Sequence, residues 1–208
     1  MSVNSKAGIC NLALSHLGQK GTVSDIDTPT DDIERIFSLH YDSARGALLK
    51  MVMPNFALAR KRSARVLSFV ADETYGYAYA YQKPADMLKL LGIGNANDKQ
   101  NNYVVEGDYI YTDELYEDGA YLRYIKNVED VSKYSEEFKY LHGLHLATIV
   151  CMPVTQSLTK QQLVDSKLKE GMMMVNSLSA QENRPVLRST SRFRQARISG
   201  FASEVIKK

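Results

Sequence analysis

Few residues in this sequence are of a type and spacing that could do chemistry. His142 and His145 lie three apart, so on a helix they would share a face. Two imidazoles can begin a metal site, but a site needs a third and usually a fourth ligand. No further His or Cys lies at motif spacing, and Cys151 is six residues past His145 and rotated away. The pair reads as ordinary helix histidines. Gly92-Ile93-Gly94 lacks the third glycine and the following helix of a dinucleotide fingerprint, and reads as a strand-end turn. The carboxylate pairs Asp31/Asp32, Glu136/Glu137 and Glu114/Glu117 could act on a glycoside if held across a cleft. Those at helix starts are explained by the helix dipole, and the others read as solvated surface. There is no phosphate-binding loop, nucleophile-elbow serine or HExxH. The residues converge on no catalytic residue, metal or cofactor, and an enzyme is not the expected reading.

Two other constellations could make contacts rather than bonds. Tyr75, Tyr77, Tyr79 and Tyr81 alternate with Gly76, Ala78, Ala80 and Gln82, which puts the four rings on one face of an extended segment. Core packing and a protein interface, where Tyr is enriched, both fit. A stacking platform for single strands would want basic residues between the rings, and here they are mainly Gly and Ala. The second constellation is the run from Arg184 to Lys208, with seven basic residues and one acid, Glu204. Arg184, Arg188, Arg192, Arg194 and Arg197 are interspersed with the apolar Phe193, Ile198 and Phe201, which would be wasted on phosphates. That mixture fits an arm docking into a protein groove, with a solvated tail as the alternative.

The whole chain has 26 Lys and Arg against 24 Asp and Glu. Removing the seven and one of the tail leaves 19 basic and 23 acidic residues in 1–183, a net charge of −4 beside a tail of +6. A mildly acidic body with a basic tail implies an acidic partner for the tail. At 44% hydrophobic residues the chain can bury a sizeable core. No apolar run is long enough to cross a bilayer, and no membrane partner is expected. Met1 to Lys6 is polar and lacks the apolar stretch of a secretory signal, so cytoplasm is the expected place of synthesis. Cys10 and Cys151 sit far apart in apolar helical patterns and read as buried free thiols.

The elements that must position these groups follow from periodicity and punctuation. A first helix, capped by Asn4 or Ser5, carries Ile9, Leu12, Ala13 and Leu17 and ends at Gly18. A second, capped by Thr28 or Thr30, carries the stripe Ile33, Ile36, Phe37, His40, Tyr41, Ala44, Leu48 and Met51 and ends at Pro54. Residues 57–69 are basic and ambiguous. The middle then alternates: the tyrosine segment, Met87 to Ile93, a hairpin from Tyr103 to Tyr111 turning near Gly107, and Ala120 to Ile125. That predicts a small antiparallel module of three to five strands. Helices return after Ser132 or Ser135, as far as a stop or kink at Pro153, and again from a capping box at Thr159 with Gln162. The expected fold is α+β and mainly α. N-terminal helices (1–62) and C-terminal helices (131–180) form one bundle, a β module (63–130) is inserted and projects from it, and a basic arm (181–208) follows.

This order of pieces resembles the head-to-tail adaptor family of short-tailed bacteriophages, called tail tubular protein A in one branch. The residues that carry the resemblance are Asn11-Leu12-Ala13-Leu14 with Leu17-Gly18, and Tyr41-Asp42-Ser43-Ala44-Arg45 with Leu48-Leu49. Next come Asn55-Phe56-Ala57-Leu58-Ala59-Arg60, Tyr79-Ala80-Tyr81 with Pro84-Ala85-Asp86, and Glu106-Gly107-Asp108-Tyr109-Ile110-Tyr111. Tyr121-Leu122-Arg123-Tyr124, Phe138 and Leu146-Ala147 complete the series, which spans roughly residues 5 to 180. The family often has Trp before the Phe-Ala pair, where this chain has Pro54 and Asn55.

The resemblance implies a structural subunit of the virion, assembled in the host cytoplasm into a ring of 12 copies. The ring would sit beneath the portal protein, extend the channel through which packaged DNA passes, and carry the tail nozzle protein and tail fibres. Arg184, Arg188, Arg192, Phe193, Arg194, Arg197 and Phe201 would then be a portal-docking arm, and Tyr75, Tyr77, Tyr79 and Tyr81 a subunit or nozzle interface. The rival readings are a nucleic-acid-binding protein using the tail and the basic 57–65 stretch, and a cell-wall hydrolase using a carboxylate pair.

Overall fold

The structure, a computed structural model, describes residues 3–67, 76–94 and 102–182. It is α+β and mainly α: two helices, six strands in two antiparallel sheets, then two helices. The described residues up to Asn176 form one compact unit.

Helix α1 (Lys6–His16) starts at Ser5, whose Oγ accepts from the Gly8 amide at 3.0 Å, and stops before Gly18 at φ +63°. Helix α2 (Asp32–Val52) starts at Asp31, not at the threonines before it. Thr30 instead donates both its amide and its hydroxyl to Glu34, at 2.8 and 2.9 Å. Glu34 also accepts from the Ser24 amide at 2.9 Å. Asn11 of α1 holds the other side of this loop, donating to the Val23 carbonyl and accepting from the Val23 amide at 2.7 Å. A polar loop between two helices is thereby fixed by side chains that satisfy its buried backbone groups.

The buried stripe of α2 is Phe37, Tyr41, Ala44, Leu48, Leu49 and Val52. Met51, expected in that stripe, is 50% exposed. The helical stripe drifts with the 3.6-residue turn, so Leu49 and Val52 rotate inward at the end where Met51 rotates out. Met53 in the left-handed conformation closes the helix ahead of Pro54.

The ambiguous basic stretch is a strand. Strand β1 (Leu58–Ser63) pairs antiparallel with β6 (Ala120–Lys126), which pairs on its other side with β3 (Met87–Ile93). The second sheet has the order β2 (Tyr79–Gln82), β5 (Tyr109–Thr112), β4 (Tyr103–Glu106). Gly107, at φ +55°, takes the first turn position of the β4–β5 hairpin, a glycine-first two-residue turn. Among the described residues the middle section holds five strands, β2 to β6, as expected, and β1 adds a sixth from residues placed among the N-terminal helices (1–62), because its partner β6 lies far along the chain, beyond the reach of local pattern. The chain switches sheets after β1: the Val66 amide donates to Ala80 O at 2.9 Å and the Gln82 amide to Ala64 O at 3.2 Å.

Helix α3 (Glu136–Thr155) starts at Ser135 and runs through Pro153 to a left-handed Gln156. Helix α4 (Leu158–Glu182) begins at Ser157, whose hydroxyl accepts from the Lys160 amide at 3.4 Å, so Thr159 lies inside the helix and is not its cap. Lys160 reaches back to the Leu17 carbonyl at 2.8 Å, satisfying the open end of α1.

Two cores result. Residues from α1, α2, α3 and α4 share one, including Ile9, Leu14, Phe37, Leu48, Phe138, Leu144 and Val164. The other lies in the β module, with Tyr81, Leu90, Ile93, Ile110, Leu122 and Tyr124. The module is rooted in the bundle: Ile125 belongs to the helical core, and the partly buried Leu58, Leu88 and Leu91 pack against it. The sheet β3–β6–β1 therefore has one face on the second core and, at one end, its other face on the helices.

Candidate functional site

The four alternating tyrosines do not form one free face. Tyr75 lies outside the described residues. Tyr77 is half-buried with its ring stacked 6.3 Å from that of Tyr111. Tyr79 is half-buried beneath the Arg65 guanidinium, 4.8 Å from the ring centroid. Tyr81 is 0% exposed, its hydroxyl accepting from the Tyr116 amide at 2.8 Å. The reason is the sheet switch after β1, which gives β2 a neighbour on both sides and buries Ala80 as well. Core packing holds for Tyr81; as an interface residue it is corrected. The arm residues Arg184, Arg188, Arg192, Phe193, Arg194, Arg197 and Phe201 all lie outside the described residues.

His142 is fully buried on α3 between Tyr41 and Phe138, with ring centroids 5.0 and 6.1 Å away. Burial drives its pKa down to about 3; His145 and Arg45 push the same way, and the Tyr41 backbone opposes them weakly. It is a neutral core histidine at ordinary pH. Among the described residues no group of three or more His, Cys, Asp or Glu could hold a metal. Cys10 and Cys151 are free and buried, and burial raises the Cys10 thiol to about 12, which makes it unreactive. Arg45, buried on α2, is paired with Asp42 at 2.8 Å.

The basic 57–65 stretch was visible in the sequence, but the surface that its strand β1 makes with β6 was not. Arg60, Lys61 and Arg62 are exposed, and Arg60 and Arg62 meet Arg123 and Tyr121 of β6 in direct register. The Arg62 guanidinium lies over the Tyr121 ring at 5.6 Å and pairs with Asp118 at 3.4 Å. A cavity of about 210 Å³ opens beside it, between the end of β1 and the turn after β2. Lys61, Arg62, Gln82 and Lys83 line it, with no acidic residue in its wall. The two strands stand in the sequence as Leu-Ala-Arg-Lys-Arg and Tyr-Leu-Arg-Tyr, but the register that joins them does not.

No helix among the described residues is long and apolar enough to cross a membrane. No family model matches the chain, and no curated protein matches it.

Proposed function

We propose that the chain is a non-enzymatic head-to-tail connector subunit of a short-tailed phage virion. It forms a ring beneath the portal, extends the DNA channel and provides the platform for nozzle and fibres. The observation that carries the reading is architectural. Helices from both ends of the sequence share one core, and between them sits a β module rooted in that core through Leu58, Leu88, Leu91 and Ile125. That is the order of pieces for which the sequence resembles the adaptor family.

Charge supports the same reading. A ring subunit needs two different, complementary faces, because a heterologous contact must repeat until it closes. This chain segregates its charge strongly, with a basic tail on an acidic body. In the proposal Arg184 to Phe201 is the portal-docking arm, its basic residues meeting an acidic partner.

The test is co-sedimentation of purified chain with portal rings, full length and cut after residue 180. The full chain joins the portal and the truncated chain does not. Equal binding by both would remove the arm from the proposal, and binding by neither would remove the connector reading.

A further inference from the structure

The charged residues on the three strands of the β1–β6–β3 sheet are all basic, with Arg62 paired to Asp118 at 3.4 Å and Lys126 to Asp86 at 3.7 Å. Strands of six, seven and seven residues hold Arg60, Lys61, Arg62, Lys89, Arg123 and Lys126, and not one acid. Taking these six from the 19 basic and 23 acidic residues of 1–183 leaves 13 and 23, so +6 sits on one sheet in surroundings of −10. Such segregation draws a polyanion toward this sheet, and three of the six, Arg60, Arg62 and Arg123, share one of its faces.

The register sharpens this. Arg60 and Arg123 are directly opposite each other, as are Arg62 and Tyr121, and Leu58 and Ile125. Alternation puts all six on one side of the sheet. At one end that side is the Leu58/Ile125 contact with the helices; at the other it is open, with Tyr121 52% exposed and the three arginines exposed. Like charges directly across a strand pair destabilise it. Arg60 and Arg123 nevertheless face each other with no ion pair among the described residues, and Asp118 serves Arg62 alone.

We infer that this face, Arg60, Arg62, Tyr121 and Arg123, is a contact surface for the phosphate backbone of DNA. Arginine is the side chain suited to phosphate, through its planar fork of donors. Arg60 and Arg62 stand two residues apart on a strand, about 7 Å by the strand rise, with Arg123 beside them. An acidic protein partner would need an apolar core to its interface, and this face offers Tyr121 alone. The ligand is therefore a polyelectrolyte held by charge with no base reading, and such a contact lets DNA slide. The source of the DNA, the packaged genome moving through the ring, rests on the connector reading; the phosphate chemistry rests on the sheet.

The experiment is the salt dependence of binding of a generic DNA duplex to the full chain, wild type against Arg60→Gln/Arg123→Gln. The tail is present in both, so its contribution cancels. Losing two phosphate contacts lowers the slope of log K against log salt by about 1.8. A fourfold rise in salt should then weaken the wild type about 12-fold more than the variant. Both exposed substitutions relieve repulsion, so the melting temperature is expected to stay level or rise. An unchanged slope in a folded variant overturns the inference. So does an unchanged slope with loss of self-association or of portal binding, which would make the face a protein interface. Failure of the wild type to join a portal, with the slope change present, would remove the connector reading and leave the phosphate surface standing.

Discussion

Gly143 of α3 lies directly against Leu12 of α1: a Cβ built on Gly143 would sit 2.9 Å from the Leu12 Cγ. The two helices approach as closely as they do because position 143 has no side chain. This contact joins a residue near the start of the sequence to one beyond the β module, so it is one of the places where the two halves of the bundle meet.

Gly143→Ala is therefore expected to destabilise the protein, although alanine is the better helix former. The overpacking cost of about 1–3 kcal/mol outweighs a propensity gain of about 1 kcal/mol. Gly46→Ala on α2 is the control, since nothing lies within 4 Å of a Cβ there. It should gain the propensity and lose nothing. Denaturant midpoints of the two variants should move in opposite directions.

Glu34 makes stability depend on acid. Its carboxylate accepts from Thr30 and Ser24 amides and from the Thr30 hydroxyl, which lowers its pKa from 4.5 to about 2. A depressed carboxylate contributes stability that is complete above the unfolded pKa and is lost as pH falls toward the folded one. The wild type should lose melting temperature between pH 4.5 and 2 on this account. Glu34→Gln should be less stable at neutral pH and show a smaller loss across that window.

His142 acts in a higher window. It is neutral when folded, with a pKa near 3 against 6.5 unfolded, chiefly through burial. The unfolded state takes up the proton first, so stability falls as pH drops from 6.5 toward 3. His142→Leu should reduce that slope, leaving the share of His16 and His145, whose pKa values burial also lowers, and the slope assigned to Glu34. Melting temperature followed by circular dichroism from pH 7 to 3 separates the two.

Tyr81→Phe tests the reassignment of the tyrosine segment. The Tyr81 hydroxyl accepts from the Tyr116 amide at 2.8 Å and so pins the loop between β5 and β6. Its loss should cost about 0.5–1.5 kcal/mol, the net worth of one hydrogen bond at a part-buried site. Self-association and portal binding should be unaffected at that protein's working temperature, as expected of a core residue.

The helices were legible because each shows one apolar face at a 3.6-residue period, and their ends because Ser5, Gly18 and Ser135 mark them locally. Asp31 and Ser157 were missed as starts, since a threonine nearby satisfied the same pattern. Strand β1 was missed for a different reason. Its residues Arg60, Lys61 and Arg62 are all exposed, so no apolar alternation marks it. Only pairing with β6 makes it a strand, and that pairing is not local. The same lack of locality hid the Arg60–Arg123 juxtaposition. Tyr81 was misplaced because alternation fixes which residues share a face and not what covers that face.

Native mass spectrometry of the purified chain, alone and mixed with portal rings, reads out the proposed connector role. A connector subunit joins the portal in one copy per portal subunit, closing a ring on it. A chain that keeps its own mass and ignores the portal would contradict that role.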